Sequence, residues 1–97
     1  PPVNLYVTDS HVVANVALPG LQAPSDLNVA VDSGRLRLRG RTPVHPLQGA
    51  AQAPLAEQVH GPFDRTVTLP VPVRGDTARS FYQNGLLEVW VERRSQA

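Results

Sequence analysis

The side chains that could do chemistry in this sequence are three histidines, scattered serines and carboxylates, and a row of arginines. His11, His45 and His60 could bind a metal ion, but their separations match no local ligand spacing of the kind found in zinc sites. Serine, histidine and aspartate all occur without a motif that frames a nucleophile, and no paired carboxylates mark a pocket. The sequence therefore predicts no catalysis, no metal and no cofactor.

The arginine row lies in one short segment, where Arg35, Arg37, Arg39 and Arg41 alternate with other residues. Such a row could contact nucleic acid. However, no aromatic residues are interleaved with it, and the net charge of the chain is only +1. We interpret the row as the solvated outer face of a strand, with ion pairing across a dimer as a further role, and we expect no nucleic-acid partner.

Period-two alternation of apolar and polar residues recurs along the chain, and no segment has helical periodicity. Pro19-Gly20 and Ser33-Gly34 predict turns, and Asn84-Gly85 predicts a tight type I′ hairpin, because both of its central residues need positive φ. This pattern is typical of an all-β fold, an antiparallel β-sandwich. The predicted strands are Val3–Val7, His11–Leu18, Leu27–Val31, Arg35–Arg41, Phe63–Leu69, Ala78–Gln83 and Leu86–Arg93.

The size and composition of the chain indicate one domain, residues 1–97, with a modest core. Cysteine is absent, so disulfides are excluded, and there is no signal peptide pattern and no membrane span. We therefore expect a cytoplasmic protein with no membrane partner. Because the chain begins with Pro1 and contains no methionine, we also expect it to be part of a longer protein.

Three stretches, Leu18–Gly20, Phe63–Pro70 and Ser80–Leu87, follow one another as Leu-Pro-Gly, Phe-x-Arg-x-Val-x-Leu-Pro and Ser-x-x-x-Asn-Gly-Leu-Leu. Their order and separation resemble the α-crystallin domain of small heat shock proteins, and the resemblance covers nearly the whole chain. Ser80 stands where the family has alanine, opposite Val89 on the packed face, and Val67 stands where it has an aromatic residue. The family's C-terminal Ile-x-Ile motif is absent, and we interpret the similar Val71–Val73 as a loop.

The resemblance implies an immunoglobulin-like sandwich and an ATP-independent holdase, a chaperone that binds partly unfolded client proteins and prevents their aggregation. It also implies a homodimer, higher oligomers through the terminal arms, and no catalysis. The rival interpretations are a p23-like co-chaperone or scaffold domain, which would be monomeric, and an extracellular immunoglobulin-like adhesion module. The missing cysteines and the three motifs disfavour the adhesion module.

Residues 42–61 form a proline-rich segment between two predicted strands, and a structureless loop of this length is uncommon unless it has a function. In the bacterial and plant type of the family, such a loop carries a strand that pairs with the first strand of the partner. The resemblance therefore implies strand exchange through Leu55–Val59, with a disordered linker as the alternative. The implied dimer interface contains Leu55, Glu57, Val59, Arg65 and Leu5; Glu57 and Asp64 are candidate partners of Arg65.

Two binding surfaces are also expected. The resemblance implies a groove for an extended peptide, with Leu27 and Val29 on one wall and with Thr77, Arg79 and Phe81 on the other. The alternation of the last hairpin directs Trp90 away from the packed row. We expect an outer apolar patch of Val13, Leu86 and Trp90 for clients or a terminal arm, against the alternative of a single exposed aromatic.

Overall fold

The computed structural model describes residues 2–21, 26–42 and 61–94. Within these ranges the chain forms seven strands and one short 3₁₀ turn, Gly75–Thr77, and it contains no α-helix. The strands are β1 (Val3–Val7), β2 (His11–Ala17), β3 (Leu27–Val31), β4 (Arg35–Thr42), β5 (Gly61–Thr68), β6 (Arg79–Gln83) and β7 (Leu86–Glu92).

All strand pairs are antiparallel, and the strands form two sheets. The four-stranded sheet has the order β1-β2-β7-β6, and the three-stranded sheet has the order β3-β4-β5. Asn84 and Gly85 join β6 to β7 with φ values of 53° and 80°, as a type I′ turn requires. The predicted antiparallel sandwich of seven strands is therefore confirmed.

The core lies between the two sheets, where β2, β4 and β7 direct alternate side chains inward. β2 and β7 are the inner strands of the four-stranded sheet, and β4 is the central strand of the other. Because inner strands have neighbours on both sides, their inward side chains lose nearly all contact with water. The core consists of Val12, Ala14, Val16, Leu18, Leu36, Leu38, Leu69, Val73, Leu87, Val89 and Val91.

The connection between β4 and β5 is one residue shorter at each end than the segment 42–61 predicted from the sequence. β4 continues to Thr42 and β5 begins at Gly61, and these two residues are paired in the ladder. Residues 43–60, including the proposed exchange segment, lie outside the described residues. The predicted loop Val71–Val73 ends in a core residue, because Val73 is buried and forms a bridge with Arg93.

Tyr82 ties the final hairpin to the Leu-Pro-Gly turn. Its hydroxyl donates a hydrogen bond to the Leu18 carbonyl oxygen at 2.6 Å and accepts one from the Leu21 amide at 3.3 Å. The Leu18 amide in turn donates to the Gly85 carbonyl oxygen at 2.8 Å. Two of the sequence motifs are therefore joined in space by one phenol group.

We expect Tyr82→Phe to lower the free energy of unfolding by about 1 kcal/mol, because the backbone groups at the Leu-Pro-Gly turn lose their partner. Tyr6→Phe is the matched control, since the Tyr6 hydroxyl has no hydrogen bond within the described residues and lies on the opposite edge strand. Urea unfolding of both variants would measure the difference. Equal stability of the two variants would contradict a structural role for the Tyr82 hydroxyl.

Candidate interaction surfaces

The outer face of the four-stranded sheet carries an unusual number of exposed apolar side chains. Tyr6, Phe81, Leu86 and Trp90 are 54%, 58%, 46% and 37% exposed. The strand register places all four on this face, since each is paired with residues that alternate with the buried row. Only two other large apolar side chains of the described residues are comparably exposed, Val7 and Tyr82.

Trp90 lies in a row of cross-strand neighbours. Val13 is paired with Tyr6 on one side and with Trp90 on the other, and it is only 8% exposed although it points outward. The indole ring packs edge-on against His11, with ring centroids 5.6 Å apart, and its Nε1 donates a hydrogen bond to Glu88 Oε1 at 3.0 Å. Trp90 is therefore a fixed part of the surface, held by three neighbours.

The predicted outer patch of Val13, Leu86 and Trp90 is divided by a polar row. Val13 and Trp90 are direct partners, whereas Leu86 is paired with Ala17, four positions further along each strand. Asn15 and Glu88 lie between these two pairs, and Asn4 continues the polar row on β1. Tyr6 and Phe81 were missed by the sequence-based patch; pairing the strands in register would have revealed both.

The five predicted groove residues do not come together in the structure. Leu27 and Val29 point inward from β3 and pack half-buried against the core. Arg79 and Phe81 are paired with Trp90 and Glu88, so they lie on the outer face of the other sheet. A β6 wall facing β3 would instead contain Ser80 and Tyr82, which are paired with the buried residues Val89 and Leu87. Groove binding itself remains a prediction.

Two further groove details differ from the sequence-based interpretation. The Thr77 hydroxyl donates to the Arg74 carbonyl oxygen at 2.7 Å and accepts from the Glu92 amide at 2.9 Å, so it is engaged in holding the 3₁₀ turn against β7. Ser80 lies opposite Val89, as predicted, but it is exposed, like all five residues of β6.

The dimer residues are described only in part. Leu5 lies on β1, is paired with Ala14 and packs half-buried against the core. Among the described residues β1 pairs only with β2, so its second backbone edge faces no strand there. Arg65 lies on the inward face of β5 opposite Leu38, although its side chain is exposed. Leu55, Glu57 and Val59 lie outside the described residues.

The arginine row occupies the outer face of the three-stranded sheet. The carboxylate of Asp64 on β5 accepts a bidentate hydrogen bond from Arg37, with Nε at 3.1 Å from Oδ1 and Nη2 at 2.7 Å from Oδ2. Arg39 Nε lies 3.7 Å from Oδ2 of the same carboxylate. Asp64 is thus committed to β4 arginines on the outer face, whereas Arg65 points inward. The hydrogen bond from Arg37 is the main cause that lowers the pKa of Asp64, with smaller contributions from the charges of Arg37 and Arg39.

A lowered carboxyl pKa in the folded state predicts a pH dependence. The contribution of Asp64 to stability is complete above its unfolded pKa of about 4 and is lost as pH falls through its lower folded pKa. Asp64→Asn should therefore lower the urea midpoint slightly at pH 7, and the difference from the parent chain should shrink toward pH 2. Asp76→Asn, an exposed acid without an ion pair among the described residues, is the control. A constant difference across this range would contradict the assignment.

The histidines gather no other ligand groups within the described part of the chain. Among those residues no three histidine or carboxylate side chains come together as a metal site, and His45 and His60 lie outside them. No helix in the described ranges is long and apolar enough to cross a membrane.

Comparisons with known sequences agree on one protein family. Residues 5–97 match the Hsp20/alpha crystallin family. Small heat shock protein C2 of Rickettsia felis is 24% identical over 96 residues, which cover 99% of this chain and 62% of that protein. Heat shock protein 16 of Schizosaccharomyces pombe is 29% identical over 91 residues, covering 92% and 63%. The chain thus spans less than two thirds of the length of these relatives.

Solved structures have the same sandwich. HspA of Xanthomonas axonopodis superimposes with a TM-score of 0.86 at 29% identity, covering 100% of this chain and 96% of that one. Heat shock protein 16.0 of S. pombe gives 0.84 at 26% identity, covering 100% and 75%. With nearly the whole chain matched in sequence and fold, the protein belongs to the Hsp20/alpha crystallin family of small heat shock proteins.

Proposed function

We propose that this chain is the core domain of an ATP-independent holdase, a cytoplasmic chaperone that binds partly unfolded proteins and keeps them from aggregating. The observation that carries the proposal is the set of four exposed apolar side chains on the outer face of a well-packed sandwich. A concentration of exposed apolar side chains on one face, bordered and crossed by polar residues, is typical of an interaction site. Burial of apolar surface contributes roughly 25 cal/mol of binding free energy per Å². A few hundred Å² of such surface therefore supports weak, reversible binding once the entropic cost of ordering the bound segment is subtracted.

Trp90→Ser should leave the fold intact and weaken client protection. The indole is more than one-third exposed, and its removal deletes up to about 100 Å² of accessible apolar surface, so we expect several-fold more protein to be needed for equal protection. The measurement is light scattering of a heat-labile client without nucleotide, with circular dichroism as the folding check. Thr68→Ala, an exposed change on the other sheet, is the control.

Two outcomes of this assay would count against the proposal at different levels. Unchanged protection by the folded Trp90→Ser variant would remove this face from client binding. No protection by the intact longer protein would reject the holdase function itself. Failure of the 97-residue chain alone would not reject it, because terminal arms of the family can carry client binding.

We also propose that the chain forms a homodimer by strand exchange. The backbone edge of β1 that no described strand occupies would pair with Leu55–Val59 of the partner, and Glu57 or another acid would meet Arg65. Exchange is favourable because an exposed strand edge offers unpaired backbone groups to another chain. Larger oligomers would then require segments beyond this domain.

Deletion of residues 47–58 should convert the dimer into a monomer, because the exchanging strand is removed. Sedimentation velocity of the deleted and parent chains measures the change, and circular dichroism checks that the sandwich persists. A deleted chain that still sediments as a dimer would contradict strand exchange. A parent chain that is itself monomeric would favour the p23-like alternative.

A further inference from the structure

The outer face of the four-stranded sheet has a regular layout in three rows that cross the strands. The first row, which we call the aromatic row, contains Tyr6, Val13 and Trp90. The second, the polar row, contains Asn4, Asn15 and Glu88, with Phe81 at its β6 end. The third, the aliphatic row, contains Ala17 and Leu86, with the polar Gln83 at its β6 end. An apolar row thus lies on each side of a row with one negative charge.

The spacing of these rows matches that of an extended peptide. Residues two apart on a strand point to the same face and lie about 6.8 Å from each other. A second extended chain running along the sheet would therefore place side chains i, i+2 and i+4 over the three rows in turn. Its outer two side chains would meet apolar surface, and its central one would meet Glu88.

Glu88 is arranged to receive a cation. Its carboxylate accepts the Trp90 indole N–H at 3.0 Å, and Phe81 is its cross-strand partner, so aromatic residues flank it on its own strand and on the next. A lysine or arginine at this point would gain a charge-assisted hydrogen bond to the carboxylate, and its apolar stem would pack beside the neighbouring aromatic side chains. Glu88 is the one ionisable group of the polar row within the described strands.

The other charges near this surface lie outside the polar row. Arg79 is the cross-strand partner of Trp90, at the β6 end of the aromatic row. Glu92 and His11 form the next outward-facing pair beyond that row, and Glu92 is within 4.0 Å of Arg74. These groups contribute to the electrostatic potential along the outer face, but none of them lies in the polar row beside Glu88.

The exposed area is too small for a stable dimer of folded copies. Four side chains that are 37% to 58% exposed offer roughly 400 Å² of apolar surface, if each has about 200 Å² in total. A standard interface buries about 800 Å² on each partner. The surface therefore suits one extended segment that binds weakly and reversibly.

We propose that the outer face selects extended client segments of the pattern apolar-x-basic-x-apolar, with the basic side chain at Glu88 and the apolar side chains over the aromatic and aliphatic rows. This inference rests on the proposed holdase function and specifies its substrate class. It assigns affinity to Trp90 and Leu86, and it assigns selectivity to Glu88.

Two short peptides test the selectivity directly. One contains Phe-Ser-Lys-Ser-Leu at its centre, and the other has glutamate in place of lysine. Trp90 is the single tryptophan of the chain, so its emission reports binding at this face, while fluorescence anisotropy of labelled peptides gives the affinity. At low salt we expect the lysine peptide to bind about three- to fivefold more tightly, as exposed charge pairs allow.

Glu88→Gln should abolish this preference while apolar binding persists, and Asp26→Asn, which removes an acid from the position just before β3, should preserve it. Equal affinity of the two peptides would overturn the proposal, as would a preference that survives Glu88→Gln. Saturable binding without a change in Trp90 emission would place the site elsewhere and also overturn it. A concentration-dependent association that Trp90→Ser abolishes would identify the occupant as a second copy instead.

Failure of this inference is distinguishable from failure of the holdase function. Aggregation of a heat-labile client is measured in parallel with the intact longer protein. Protection with no lysine preference would reject the selectivity of the outer face and leave the chaperone function standing. A lysine preference without protection by the intact longer protein would retain the peptide site and reject the holdase.

Discussion

We expect Leu38→Ala to lower the free energy of unfolding by about 3 kcal/mol, which is within the range typical of large-to-small substitutions in a core. Leu38 is fully buried at the centre of β4, the middle strand of its sheet. Val29 and Arg65 are its cross-strand partners, so backbone ladders hold it on both sides and limit relaxation around the cavity. Since small domains are stable by only about 5–15 kcal/mol, this is a substantial fraction of the total.

Urea unfolding at one fixed protein concentration measures the effect, because the proposed dimerisation would make the measured stability depend on concentration. Arg41→Ala is the matched control; it lies on the same strand but points outward from the sheet and is exposed. It should shift the free energy of unfolding by less than about 0.5 kcal/mol. A loss at Leu38 no larger than that at Arg41 would mean that the two sheets are not packed through this residue.

Features that depend on neighbouring residues were predictable from the sequence. Asn84-Gly85 required positive φ at two consecutive positions, and the structure has them. This turn determines the pairing of Ser80 with Val89, and with it the outward direction of Trp90. The alternation along β4 likewise separated the outward arginines from Leu36 and Leu38. Two-residue turns and a period of two leave little freedom, so such predictions are robust.

Features that depend on the register between segments distant in sequence were harder to predict from the sequence. The family resemblance places Arg79 and Phe81 in a groove, although the hairpin register itself directs them to the outer face. Tyr6 could be added to the outer surface only once β1 was paired with β2 in register. The bond from Tyr82 to the Leu18 carbonyl spans 64 residues, and nothing local to either residue indicates it.

The family resemblance agreed with the fold and predicted a chaperone function, but it did not describe the exposed side chains on the outer face of this chain. The exposed aromatics and Glu88 emerged from burial and pairing, which motifs do not encode. Conversely, the exchange segment was inferred from the family alone, and its residues lie outside the described ranges. Strand exchange and the selectivity of the outer face therefore depend on independent observations and need separate experiments.

Gly40→Ala should lower the free energy of unfolding by about 2 kcal/mol, a typical cost of forcing extra volume into a packed site. A methyl group at this position would overlap the backbone carbonyl oxygen of Asp26 and lie 2.9 Å from Phe63 Cζ. Gly40 is paired with Leu27 and Phe63 on the central strand of the three-stranded sheet, so the backbone cannot move without disturbing both ladders.

Gly34→Ala is the matched control for this substitution. Gly34 lies in the turn before β4, does not have positive φ, and has no heavy atom within 4 Å of the position that an added methyl group would take. Its replacement should be neutral or slightly stabilising, because alanine reduces the entropy of the unfolded chain. Phe63→Leu in the Gly40→Ala background separates the two contacts: little rescue would assign the strain to the Asp26 carbonyl, since a side chain can move aside and a paired backbone cannot. Equal stability of the Gly40 and Gly34 variants would contradict close packing at this point of the sheet.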